Sequence, residues 1–290
     1  MSSSTNQRQM ARTVQCFFPG RDFPAVSTTG GHCALSCRHC GGRYLQGMLS
    51  TATPDALLAL AQRLSDNGAR GLLISGGSTP DGRVDLVGFE DAIRGIKDTT
   101  DLLVNAHIGL TPRPDIVRLV ACGIDAFSVD IYGCSETIHD VLGLQAEPDD
   151  YLRVMDDLHR AGAPVVAPHI CIGVHGGALV GESLALAALE ARQPKRLVLI
   201  SFTPTRGTSY EMAPPPSREA VLGVISEARH LLPSTKILLG CMRDRGDRSW
   251  EPSAVDAGLD GIVLPAAATM QALRESGYDV VSKKTCCAFA

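Results

Sequence analysis

Short apolar runs alternate along the chain with longer stretches whose apolar residues recur every three or four positions. The runs are Ala25–Thr29, Gly71–Ser75, Leu102–His107, Ala126–Ile131, Val165–Gly173, Arg196–Phe202, Lys236–Gly240 and Gly261–Leu264. Each is too short for a stable helix and reads as a strand. The stretches Thr53–Asp66, Phe89–Ile96, Pro114–Ala121, Asp149–Ala161, Ser183–Arg192, Ser217–Leu231, Ser253–Ala257 and Ala267–Glu275 read as helices. Thr53-Pro54-Asp55 and Pro216-Ser217 carry the residues that open helices. Eight strands alternating with eight helices predict parallel βαβ units closed into one (β/α)8, TIM-like barrel. The barrel is expected over residues 23–277, with a short N-terminal extension (1–22) and a C-terminal tail (278–290). No composition break separates two domains, and Pro214-Pro215-Pro216 reads as an ordered rim loop.

Composition narrows the classes. With 290 residues, 44% of them hydrophobic, the chain can bury one large core. A net charge of −4 and 4% aromatic residues argue against a nucleic-acid partner. No apolar run is long enough to span a membrane. The polar start, Met1 to Thr13, lacks the apolar segment of a secretory signal, so a frayed tail and a cytoplasmic location are expected. In that reducing setting ten cysteines point to metal or redox chemistry rather than disulfides.

Three of them stand together just past the first strand, in Cys33-Ala34-Leu35-Ser36-Cys37-Arg38-His39-Cys40. Three thiolates can hold three irons of a 4Fe–4S cluster and leave the fourth iron open. The competing reading is zinc, which wants a closed four-ligand set. His39, between two cysteines, reads as poorly placed to complete one. This spacing, in this place, resembles the signature of the radical S-adenosylmethionine (SAM) superfamily, in which the open iron chelates SAM. The resemblance implies that Gly76-Gly77 meets the SAM ammonium, although Ser78 stands where that family often has Glu. It also implies that Gly173 in Gly173-Val174-His175-Gly176-Gly177 lies near the adenine, and that His39 is the flat ring before the last cysteine.

Strand alternation puts Asn105 with His107, Ser128 with Asp130, and His169 with Cys171 on shared faces. Asp130 is the expected ligand of the ribose hydroxyls. His169 is assigned to the cofactor site, whereas His107 reads equally well as a core histidine. Glu136 and His139 read as helix caps. Among the other cysteines, Cys122 reads as structural and Cys134 stays open. Cys241, Cys286 and Cys287 are expected to hold a second iron–sulfur cluster, with Cys171 or Cys16 as weaker ligands. Scattered buried cysteines are the alternative. Residues 278–285, if extended, would carry the vicinal pair from the barrel bottom back to its top.

Longer stretches resemble the biotin-synthase-like branch of the superfamily. They are Phe23-Pro24-Ala25-Val26-Ser27, Val129-Asp130-Ile131-Tyr132-Gly133, His169-Ile170-Cys171-Ile172-Gly173, Phe202-Thr203-Pro204-Thr205-Arg206-Gly207-Thr208, Gly240-Cys241-Met242-Arg243 and Cys286-Cys287. Within that branch the chain resembles one subunit of the two-protein lipoyl synthases. This implies a radical SAM barrel that inserts sulfur at an unactivated carbon of a protein-bound octanoyl chain. It also implies a heterologous radical SAM partner subunit, an octanoylated carrier protein as substrate and an electron donor. Two departures stand out. Only Cys16 precedes the SAM motif, where single-chain lipoyl synthases carry a triplet. Of the three cysteines and one arginine that hold the second cluster of biotin synthase, only Cys171 and Arg243 have counterparts. Other radical SAM chemistry, and a non-catalytic iron–sulfur or zinc scaffold, are the alternative readings.

Overall fold

A computed structural model describes residues 12–290; the polar start, residues 1–11, lies outside the described residues. All eight expected strands form, within a parallel sheet of eleven. In chain order the strands are β1 (Thr13–Phe17), β2 (Ala25–Ser27), β3 (Leu49–Ser50), β4 (Gly71–Ser75), β5 (Leu103–His107), β6 (Ala126–Asp130), β7 (Val166–Ile172), β8 (Arg196–Ser201), β9 (Lys236–Leu239), β10 (Gly261–Val263) and β11 (Asp279–Lys283). Their order across the sheet is β11-β1-β10-β9-β8-β7-β6-β5-β4-β2-β3.

The sheet must curl. Strands β1 and β2 are consecutive in the chain yet stand near opposite ends of the sheet. A flat sheet would hold them roughly 38 Å apart at ordinary strand spacing. The chain from Phe17 to Ala25 spans at most roughly 28 Å. Contacts across the gap agree: Lys284 Nζ, just past β11, lies 3.3 Å from Asp22, whose carbonyl accepts from Arg70 N, just before β4, at 2.7 Å.

The result is TIM-like but is not a closed ring of eight. Thr13–Phe17, read from the sequence as extension, is β1, paired with β10 and β11. Asp279–Lys283, read as tail, is β11 at the sheet edge. Both strands are short and mixed in polarity, so their pairing rather than their pattern makes them strands.

Helices α1 (Pro54–Asp66), α2 (Glu90–Thr99), α3 (Arg113–Ala121), α4 (Ser135–Thr137), α5 (Pro148–Arg160), α6 (Glu182–Glu190), α7 (Arg218–Leu231), α8 (Glu251–Ala257) and α9 (Ala267–Glu275) complete the α/β fold. Thr53 caps α1 by accepting from Ala56 N at 3.2 Å, and Ser217 caps α7 likewise.

Strand alternation then splits the core in two. Ile74, Val104, Phe127, Ile170, Leu199 and Leu239 bury against helix residues such as Leu57, Ile93, Ile116, Leu158 and Ile225. Each fully buried aliphatic side chain contributes about 1.5–3 kcal/mol. The opposite faces look into the lumen, where Phe17, Val198, Leu238 and Val263 surround Cys287. Parallel strands put all C-terminal ends at one mouth, so loops from distant parts of the chain meet there.

Candidate active site

The first half of the site is local chain geometry. Strands β2 and β4 end side by side at Ser27 and Ser75, and the loops leaving them pack together. Ser27 Oγ donates to Gly30 O at 2.7 Å, and Thr29 Oγ1 donates to His32 O at 2.8 Å. Ala34 N donates to Ser78 O at 2.8 Å. Ser78 N donates back to Cys33 Sγ at 3.3 Å. These bonds present Cys33, Cys37 and Cys40, all free thiols, along one tight turn.

The sulfurs of Cys37 and Cys40 lie within 4.8 Å of each other. The Cys37 thiol, helped by His39, holds Cys40 at about 4 against the opposing effect of burial. The same contact, with burial, pushes Cys37 up. His39 departs from expectation: a ring nitrogen lies within 4.8 Å of both sulfurs. Gly41 and Gly42, at φ +49° and +73°, curl the loop back to allow this.

The glycine turn after β4 fits against that loop. A Cβ on Gly77 would lie 1.9 Å from His32 O and 2.6 Å from Cys33 Cα. Gly77 N donates to Thr29 Oγ1 at 2.7 Å. Among the described residues the carbonyls of Gly76 and Gly77 accept no hydrogen bond. A free carbonyl is the acceptor that an ammonium, a donor only, requires. The three free thiols and this glycine cradle fit a 4Fe–4S cluster with bound SAM. Gly173 turns at φ +71°, its N–H held by Glu182 Oε1 at 2.7 Å.

Below this mouth lies a polar layer. His107 Nε2 stands 3.1 Å from Asp130 Oδ2, each side chain 32% exposed within the lumen. Burial opposes both charges, but each partner outweighs it: His107 and the neighbouring His169 and His39 hold Asp130 below the usual carboxylate range. Asp130 in turn raises His107. Burial drops His169 to about 4, so it is neutral. Its Nδ1 lies 2.8 Å from Ala167 O, which places the proton on Nδ1 and leaves Nε2 as an acceptor. The sequence alone leaves His107 open between a site and a core histidine. The signal was its shared face with Asn105, one strand over from Asp130.

The C-terminal segment folds into the lumen one layer further down. Cys286 Sγ lies 3.6 Å from Asn105 Nδ2, and Asn105 and Ser128 bond each other at 3.0 Å. Cys286 packs near Ala126 and Ala167, early residues of β6 and β7. The expected return of the tail to the top therefore does not occur: β11 pairs with β1 and delivers the pair to the lower lumen. Cys287 holds Cys286 low by a shared thiol hydrogen bond, and Cys286 and Cys241 each push Cys287 up. Cys241, past the end of β9, is exposed, and among the described residues the three sulfurs do not converge within 4.8 Å.

The weaker ligands separate. Cys171 faces the lumen higher up, where burial and then Asp130, Glu182 and Cys40 raise it. Cys16 is buried on β1, one position from the lumen-facing Phe17. It feels Arg274 and Glu251 of the outer helices, so alternation keeps it off the lumen. Arg243 is also engaged elsewhere. It donates to Gly240 O at 2.7 Å, to Val263 O at 2.8 Å and to Glu251 Oε1 at 2.7 Å. Cys134 lies 3.3 Å from Val180 O in a structural contact, and Cys122 is buried at the end of α3.

A curled parallel barrel with three thiols on the loop after β2, a glycine turn beside them and a charged carboxylate below defines a class: enzymes that place SAM on an open iron–sulfur cluster. The Radical SAM superfamily model matches residues 27–177. The chain belongs to the radical SAM superfamily. It is 26% identical over 281 residues to a protein named biotin synthase from Anoxybacillus flavithermus, covering 88% of this chain and 80% of that one. It is 24% identical to a biotin synthase from Halorhodospira halophila, covering 82% and 74%. Methylornithine synthase shares the fold with a TM-score of 0.66 at 16% identity, over 94% of this chain and 85% of that one. The FeFe-hydrogenase maturase HydG shares it with a TM-score of 0.67 at 17% identity, over 96% of this chain and 66% of that chain. Among the described residues no helix is long and apolar enough to cross a membrane.

Proposed function

We propose that this radical SAM enzyme inserts sulfur into an unactivated C–H bond of a protein-bound octanoyl group, as one subunit of a two-component lipoyl synthase. The observation that carries the reading is the second set of thiols: Cys286 and Cys287 in the same lumen as the SAM loop, with Cys241 exposed after the end of β9. The relatives named biotin synthase support the branch. The paired subunit, the octanoylated carrier and the electron donor come from the sequence resemblance.

When bound, SAM on its cluster supplies a carbon radical that abstracts hydrogen from an unactivated carbon, and a second cluster supplies the sulfur. The chain does the rest. Cys33, Cys37 and Cys40 would hold three irons, and the Gly76 and Gly77 carbonyls would take the SAM ammonium. Asp130, kept charged by His107, takes the ribose hydroxyls, with neutral His169 beside it. Val198 and Leu238 exclude water from the lower lumen, where substrate carbon and sulfur must come within bonding reach.

The test combines the anaerobically reconstituted protein with a partner subunit and an octanoylated carrier. The reading expects 5′-deoxyadenosine together with sulfur on the octanoyl chain by mass spectrometry. Deoxyadenosine without sulfur transfer would assign other radical SAM chemistry. A chain that cleaves no SAM with any partner would leave a scaffold.

A further inference from the structure

Arg196 opens β8 two residues before Val198, so both side chains take the lumen side. Its guanidinium donates to Ala288 O, the carbonyl that follows the vicinal cysteines. Its Nε is buried and has no hydrogen-bond partner, an arrangement that is destabilising unless something accepts the proton. Two more cations stand close: Lys283 feels both Lys236 and Arg196. Among the described residues none of these three forms an ion pair. A buried, unpartnered Nε–H held against the segment that carries the vicinal cysteines, with Lys236 opposite it on β9, describes a site for an anionic sulfur centre.

We propose that Arg196 is the positioning residue of the second iron–sulfur cluster: it anchors the Cys286–Cys287 segment and offers Nε–H to the anionic sulfur there, while Lys236 and Lys283 offset the charge. The inference rests on the second-cluster reading above. It moves the arginine role from Arg243, which the Glu251 contact occupies, to a residue on another strand.

The experiment uses the full chain lacking Cys33, Cys37 and Cys40, so that only a second cluster can bind. Iron and sulfide content and an EPR-monitored redox titration are compared for Arg196, Arg196→Met and Arg196→Lys. The expected result is iron in all three and a more negative midpoint in Arg196→Met, since a lost cation disfavours the reduced, more anionic cluster. Arg196→Lys should restore most of that shift. Iron lost from Arg196→Met but kept in Arg196→Lys also supports the proposal. An unchanged midpoint and EPR spectrum in Arg196→Met would overturn the Arg196 role and leave the second cluster standing. Iron lost from both variants would assign Arg196 to folding of the segment and overturn the role. No iron in the Arg196 parent would remove the second cluster, and the role with it.

Discussion

The two ends of the lumen present similar chemistry built in opposite ways. At the mouth, Cys37 and Cys40 converge with His39 within 4.8 Å; lower down, Cys286 lies 3.6 Å from Asn105 Nδ2 with Cys287 next to it in the chain. The upper thiols come from one eight-residue loop, tied by Thr29 and Ser78. The lower set draws on the end of β9, the segment after β11 and the start of β8. The upper site therefore needs only its own turn and the glycines of one neighbour. The lower site needs the barrel to close correctly. Its stiffest support is the Arg243–Glu251 pair, 1% and 0% exposed, whose arginine clamps Gly240 O next to Cys241. Glu251 Oε2 also accepts from Ala266 N at 3.0 Å and Thr269 Oγ1 at 2.6 Å. A locally built ligand set tolerates distortion of the barrel, and a tertiary set does not.

Substitutions can break that contrast, beginning with the most severe. Cys37→Ala should reduce SAM cleavage to background, read as 5′-deoxyadenosine, while iron at the lower site persists. Cys287→Ala should do the reverse, sparing SAM cleavage and stopping sulfur transfer; intact transfer would remove the lower cysteines from the chemistry. Arg243→Met leaves Glu251 buried and unpaired, which costs about 3–5 kcal/mol. Its thermal unfolding midpoint should fall, and lower-site iron should be lost before upper-site iron on warming.

Smaller effects sharpen the comparison at the polar layer. Asp130→Asn and His107→Gln should weaken SAM binding by about 10–100-fold, the range for residues that orient a bound group. The pair also sets a pH window. His107 is raised above its ordinary 6.5, so its contribution is complete below that pH and is lost as pH rises through the folded value. Asp130 is lowered below 3.8, so its contribution is complete above that pH and is lost as pH falls through the folded value. SAM binding to the native protein should therefore weaken on the alkaline side, and the His107→Gln profile should lack that limb. A persisting limb in the variant would detach His107 from the site. Least of all, Thr53→Ala removes a helix cap at a cost of about 1 kcal/mol. It should leave iron content at both ends unchanged.

Much of this protein is determined by sequence alone. The central strands are legible because their apolar runs are short and bounded, and helices such as Pro54–Asp66 because periodicity and cap agree. Cys33, Cys37 and Cys40 are legible because a contiguous spacing fixes a local geometry. Tertiary structure decides the rest. Thr13–Phe17 is a strand only because it pairs with β10 and β11, and Asp279–Lys283 only because it pairs with β1. His107 gains a role only when β5 and β6 align it with Asp130. Cys16 and Arg243 drop out of the lower set because alternation and a buried carboxylate turn them away, and Arg196 enters because the tail ends beside it. Residues close in sequence are held together by covalent geometry, which a pattern reveals. Residues hundreds of positions apart meet only through strand pairing and burial, and no local pattern records which of them will.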